Sequence, residues 1–411
     1  MGKSKIIKYA ELIAKVGANI QKGQEVNLVA DIEIKDFVLV LVEECYKAGA
    51  SKVNIDWTDD ELTKLNIKYA DEEKLSHLTS YEKAKQEYNI ENHPVRIYIE
   101  SSDPDGLKDL DQEKYGRILA SKGKEIREYR DKYDDYCQWV IAGVPGLKWA
   151  KKVFPNDSDE VAKEKLFELI LKVSRAFDGD PIKNWEIHNA NLVEKANKLN
   201  NLKLHYLHYT SKNGTNLTVE LLNNVKWEAG GEYTKGTKIY FQPNIPTEEC
   251  FTSPNKFGTN GVVYSTKPLS YRGQIIEDFS LTFKDGKVIE AHAKKGEDLL
   301  KNMLKLDENA AYLGECALVP FHSPINDTKT LFFSTLYDEN ASCHLALGTA
   351  FPMLIENYEN MSEEEIKKVN INKSIVHTDF MIGTDDLKIE GIDFNGKKVT
   401  IFENGDWSKT F

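Results

Sequence analysis

The segment SIVHTDFMIG sets His377 and Asp379 two residues apart in a run with strand character. Side chains i and i+2 of a strand project to one face, so an imidazole and a carboxylate there point together, as a pair of metal ligands must. An HxD triplet alone carries little weight, because a surface strand with two polar residues reads the same way. Three further segments strengthen the reading: NIPTEECFTSP with Glu248 and Glu249, AYLGECALVP with Glu315, and ASCHLALG with His344. Glu315 and His344 each lie in a run of small or apolar residues that composition would bury, and a buried charge requires a partner or a metal.

In wording and in order these four segments resemble the thermophilic metalloaminopeptidase family that includes the aminopeptidase T and aminopeptidase S types. The likeness extends to GANIQKGQEVNLVA and YKAGASKVNIDWTD near the start and to NGTNLTVEL in the middle, so it covers nearly the whole chain. Carried over position by position, the resemblance implies metal ligands at Glu249, Glu315, His344, His377 and Asp379. It also implies short peptide substrates and a homodimer. One position departs from the family's pattern. After the His ligand the family usually has Tyr in a role considered catalytic, and this chain has Phe351. Loss of one oxyanion donor typically lowers turnover by about two to three orders of magnitude. The departure bears on activity, with Tyr358 or Tyr312 as possible replacement donors, and leaves the metal ligands intact.

Glu, His and Asp together suit Zn²⁺, Co²⁺ or Mn²⁺, and the share of carboxylates argues against a structural zinc site, which favours Cys and His. Five protein ligands exceed the three of a mononuclear catalytic zinc, whereas two divalent ions sharing one carboxylate would use all of them. Glu315, central in the order, is the expected bridge and a catalytic candidate. A water between two cations is acidic enough to attack a peptide carbonyl near neutral pH, and the second ion can take the free amino terminus. The expected activity is removal of the first residue from short peptides. The alternatives are another two-metal hydrolase, or a metal-binding homologue weakened at Phe351. Glu248, adjacent to Glu249, is expected to point away from the site.

The elements that must position these residues fall into two textures. EVNLVAD (25–31), a helical stretch at 36–49 and SKVNIDW (51–57) form a βαβ unit, and strands follow at 95–101 and 138–146. Residues 1–185 are therefore expected to form an α/β domain with a mainly parallel sheet and helices on its faces. No GxGxxG or GxxxxGKS follows these strands, so nucleotide binding has no local support. The Lys- and Glu-rich stretches 59–88 and 107–135 read as solvated helix faces. Residues 186–411 begin with a helical segment and turn β-rich, with hairpin signals at Asp285-Gly286 and Asn395-Gly396. This second, α+β domain carries every candidate ligand.

A chain of 411 residues exceeds the usual size of one core, which agrees with two domains. The net charge of −12 argues against a nucleic-acid surface. The N-terminal segment has the spacing of an amphipathic helix, without a signal peptide's continuous apolar run, and no stretch nears the roughly 18 apolar residues of a membrane span. Ile6 breaks the myristoylation pattern begun by Gly2. A cytoplasmic protein with no membrane partner is expected. Five cysteines without regular spacing suit reduced thiols. Cys250, Cys316 and Cys343 each adjoin a candidate ligand and, as strand neighbours, should fill the core behind it. The remaining histidines carry no motif, although His322, close after Glu315, could line the pocket.

Overall fold

The computed structural model describes residues 2–271 and 274–411, apart from the side chains of Glu363 and Lys367. The chain forms two compact units, one of residues 1–187 and 231–246, the other of residues 188–230 and 247–411. The return of 231–246 to the first unit has no marker in composition.

In the first unit, β1 (Glu25–Asp31), β2 (Lys52–Thr58), β3 (Val95–Glu100) and β4 (Trp139–Gly143) form a parallel sheet in the order β4-β3-β1-β2. The short strand Asn244–Ile245 extends it beside β4. Val26, Leu28 and Ala30 alternate along β1 and are fully or almost fully buried, as period-two spacing in a central strand requires. β2 is the edge and is mostly exposed. The charged stretch after it forms helices Asp60–Tyr69, Glu72–Ser76 and Ser80–Asn92, started by the side chains of Asp59, Asp71 and Thr79, which accept backbone N–H groups of the first turns. Thr79 and Glu82 close a full capping box.

The second unit is built from two antiparallel sheets. The larger has nine strands, among them Leu204–Thr210, Asn216–Leu221, Pro254–Tyr264, Gln274–Lys284 and Lys388–Asp393. Asp285 and Gly286 turn the hairpin between Gln274–Lys284 and Lys287–Lys295 with φ of 49° and 81°, as a two-residue turn requires. Asn395-Gly396 lies in a longer connection, and Asn404-Gly405 makes a second two-residue turn with the same positive φ pair.

The smaller sheet has the order β9-β8-β7-β6-β5, where β5 is Glu228–Ala229, β6 Cys250–Thr252, β7 Leu313–Leu318, β8 His344–Gly348 and β9 His377–Met381. One of its faces packs on the larger sheet. Cys250, Cys316, Cys343, Leu345 and Phe380 share a single core cluster with Leu207, Tyr209, Leu217, Phe279 and Ile389. The cysteines thus fill the core behind the candidate ligands, as strand alternation predicts, and all five in the chain are buried and free.

Candidate metal centre

The opposite face of the smaller sheet is set by its register. Ala317 pairs with His344, and Ala346 lies between Glu315 and Asp379. Residues directly opposite across an antiparallel pair share a face, so Glu315, His344, His377 and Asp379 all project from one side, separated by alanines too small to fill the space between them. Glu249 joins them from the residue before β6. Gly348, with φ of +107°, permits the arrangement: a Cβ there would lie 2.0 Å from the Val376 carbonyl oxygen, so only glycine lets β9 enter opposite it with His377.

The five residues form two groups that share a member. The ligand atoms of Glu249, Glu315 and His344 lie within 4.8 Å of one another, and so do those of Glu315, His377 and Asp379. The His344 Nε2 is 3.2 Å from Glu249 Oε2, and the His377 Nε2 is 3.1 Å from Glu315 Oε2 and 3.3 Å from Asp379 Oδ1. Each imidazole is oriented from behind by a backbone carbonyl. Nδ1 of His377 donates to Thr349 O at 2.8 Å, and Nδ1 of His344 to Ser342 O at 3.4 Å. That tautomer presents both Nε2 atoms to the carboxylates. Only the His377 side chain has substantial exposure, at 26%, so the cluster opens on its side.

The electrostatics of the face call for positive charge. Burial opposes ionisation of His344, yet the Glu249 hydrogen bond and the charges of Glu315 and Asp379 hold its pKa up at about 10. His377 is likewise raised well above its ordinary value, against burial, by Asp379 and Glu315. Asp379 is lowered despite burial by His377, whereas burial raises Glu315. Two buried carboxylates, a third mostly buried one and two imidazoles, with no Lys or Arg ion pair to any of these residues among the described ones, are the donor set of hard-to-borderline divalent cations.

A sixth residue belongs to this face, and sequence reasoning missed it. Glu339, in the turn Glu339–Ala341, has its pKa raised well above the usual carboxylate range by burial and then by Asp379 and Glu249. Asn340 holds this turn: its Nδ2 donates to Leu336 O, and its Oδ1 accepts the backbone N–H of Glu248. The available signal was the acidic pair Asp338-Glu339 just before the His344 strand.

The other candidates lie as follows. Glu248 is buried toward His188, 3.9 Å from its Nε2 and outside both ligand groups. Phe351 stands at the open side of the cluster, its ring centroid 5.2 Å from that of His377 and 5.4 Å from that of Phe251. Tyr312 packs edge to face on Phe257, with the Lys256 ammonium over its ring. His322 is exposed and pairs with Asp327 at 3.2 Å. His205 and His208 bind different partners, Glu220 and Asn216.

The second unit carries carboxylates and imidazoles suited to divalent metal on one sheet face, and the first unit is a parallel α/β structure. Residues 2–407 match the model of the thermophilic metalloprotease family, M29, and the chain belongs to that family. It is a peptide hydrolase of a metalloprotease family that uses divalent metal. It is 42% identical over 405 residues to aminopeptidase AmpS of Bacillus subtilis, covering 98% of each chain. Over 403 residues it is 41% identical to aminopeptidase 2 of Geobacillus stearothermophilus, covering 98% of this chain and 97% of that one. Among solved structures, wild-type AmpT from Thermus thermophilus superposes with a TM-score of 0.90 at 35% identity, covering 98% of this chain and 99% of that one. Among the described residues no helix is long and apolar enough to cross a membrane.

Proposed function

We propose that this chain is a dinuclear metalloaminopeptidase that removes the N-terminal residue from short peptides. The observation that carries the reading is the pair of ligand groups meeting at Glu315. Glu249, Glu315 and His344 would hold one ion, Glu315, His377 and Asp379 the other, with Glu315 as the bridge; zinc, cobalt and manganese all suit the donors. When bound, the two ions supply Lewis acidity and a bridging water of lowered pKa, and an anchor for the free amino terminus. The chain's own residues do the rest. Thr349 and Ser342 carbonyls fix the imidazoles. Glu339, the carboxyl that neither group uses, is the residue placed to take and return a proton at its Oε atoms. Phe351 offers a ring beside His377 and no hydroxyl, so it contributes walls and excludes water without donating to an oxyanion. That feature keeps a second reading in view, a metal-binding homologue of reduced activity. A cytoplasmic homodimer completes the proposal.

A panel of aminoacyl p-nitroanilides, assayed after chelation and after readdition of Zn²⁺ or Co²⁺, tests it. Metal-dependent cleavage of free aminoacyl amides with none of their N-acetylated forms is the expected result. Turnover of phosphoesters alone would point to another two-metal hydrolase, and stoichiometric metal binding without turnover to the weakened homologue. Light scattering reports the oligomeric state, with twice 46.8 kDa expected.

A further inference from the structure

The cross-strand row that carries His344 continues to the edge of the sheet. His344 pairs with Ala317, Ala317 with Phe251, and Phe251 with Glu228 of β5. The four side chains therefore share the metal-bearing face, while Trp227 and Ala229, the neighbours of Glu228, lie in the core on the other side. Glu228 is a half-buried carboxyl, and among the described residues it has neither ion pair nor hydrogen bond. Burial raises its pKa, with Lys226 only partly offsetting the effect. A carboxylate held partly out of water beside an aromatic ring, with no ion pair, is favoured in its charged form by a cationic ligand brought against it.

We infer that Glu228 is the specificity residue of the site and selects peptides whose first residue is lysine or arginine. The inference rests on the aminopeptidase reading above. Distance decides which positive group it serves. β5 lies two strand spacings, roughly 10 Å, from β7, over which the Glu249–Glu315–His344 group sits. An amino terminus anchored at that group is too far from Glu228 for direct contact. The extended stem of a lysine or arginine side chain covers roughly 6 Å, and the Glu228 side chain supplies much of the remainder. Along this line stand Phe251 and Phe351, partly exposed and packed edge to face at 5.4 Å. They offer apolar contact to the stem and ring faces to a cationic head.

The test uses the zinc-loaded full-length protein and Arg-, Lys- and Leu-p-nitroanilide. The ratio of kcat/KM for Arg over Leu should exceed about tenfold, as expected for one charge-assisted contact in a partly desolvated site. In Glu228→Gln the ratio should fall at least tenfold, chiefly through KM, and Glu228→Asp should retain part of it. Binding of L-arginine and L-norleucine, followed by calorimetry at equal zinc content, gives the same comparison without turnover. An arginine preference that collapses in Glu228→Gln is again expected. A parent enzyme that cleaves the Leu amide without favouring basic residues, or a preference unchanged in Glu228→Gln, overturns the assignment and leaves the aminopeptidase reading standing. Failure to cleave any aminoacyl amide removes that reading instead, and the calorimetric comparison then decides the role of Glu228.

Discussion

The two units treat buried charge in opposite ways. In the first, Arg96 is 6% exposed and donates to Asp134 Oδ1 at 2.7 Å, with its guanidinium over the Tyr133 ring. Asp60 faces Asp31 and Asp103, and burial together with these like charges raises its pKa, but Lys148 and Lys64 counter them. In the second unit Glu249, Glu315 and Asp379 converge with two imidazoles and Glu339, and among the described residues no Lys or Arg pairs with any of these carboxylates. A buried charge that already owns a partner is structural, while a set of like charges sharing no Lys or Arg needs a cation from outside the chain. That contrast, more than the number of acidic residues, separates scaffold from site.

The strongest way to break the comparison is to remove the proposed shared ligand, Glu315. Glu315→Gln should abolish stoichiometric binding of both ions and lower kcat by about three orders of magnitude or more, since several kcal/mol of Lewis-acid stabilisation are lost at about 1.4 kcal/mol per decade. The unrelated carboxyl Asp60→Asn should leave metal content and turnover unchanged. Metal analysis and steady-state kinetics on both variants check this, and retention of two ions in Glu315→Gln would refute the bridging role.

The converse perturbation belongs to the first unit. Arg96→Met leaves Asp134 without its nearest buried cation and should destabilise the protein by about 2–4 kcal/mol, at the lower end for a broken buried pair because Asp134 is partly exposed. Metal content should not change. Urea denaturation reads the effect, and a change below about 0.5 kcal/mol would mean that Arg130, which also reaches Asp134 at 3.0 Å, takes over.

A smaller effect is expected at Phe351. Phe351→Tyr adds a hydroxyl beside His377, at the open side of the cluster. If it reaches the developing oxyanion it should raise kcat by roughly tenfold or more with metal content unchanged, because the interaction forms mainly in the transition state. An unchanged or lower kcat would assign the ring to packing against Phe251 and His377 alone.

How much of this was legible in the sequence follows from the range of each interaction. Period-two alternation is local, so the strand carrying His377 and Asp379 and the cysteines behind Glu249, Glu315 and His344 could be read directly. The parallel sheet was legible because each strand is followed by a crossover helix of recognisable length. The assembly of Glu249, Glu315 and His344 depends on register between strands far apart in sequence, which periodicity cannot supply; there the family resemblance carried the reading. Glu339 escaped because it sits in a turn with no period, and its importance lies wholly in the charges facing it. Residues 231–246 escaped for a similar reason. Their link to β4 is two residues long.

The finest test of the contrast is its coupling to protons. In metal-free protein His344 carries a pKa near 10, raised by Glu249, Glu315 and Asp379 against burial, compared with about 6.5 when unfolded. A raised folded pKa gives stability that is complete below about pH 6.5 and lost as pH rises through about 10; His377 acts in the same sense. The thermal midpoint of metal-free protein should therefore fall between pH 7 and 10. Ions bind the imidazoles only in their neutral form, so loading zinc at pH 7.5 must expel these protons, and apparent affinity should climb with pH over the same window. Zinc titrations by calorimetry in two buffers of different ionisation enthalpy count the protons, with more than one released per chain expected. Arg96→Met should leave that number untouched, whereas Glu315→Gln, having lost stoichiometric binding, should show no such proton release. A parent protein that binds zinc without releasing protons would show that the imidazoles are already neutral, and that the carboxylates of this face do not act on them as their spacing requires.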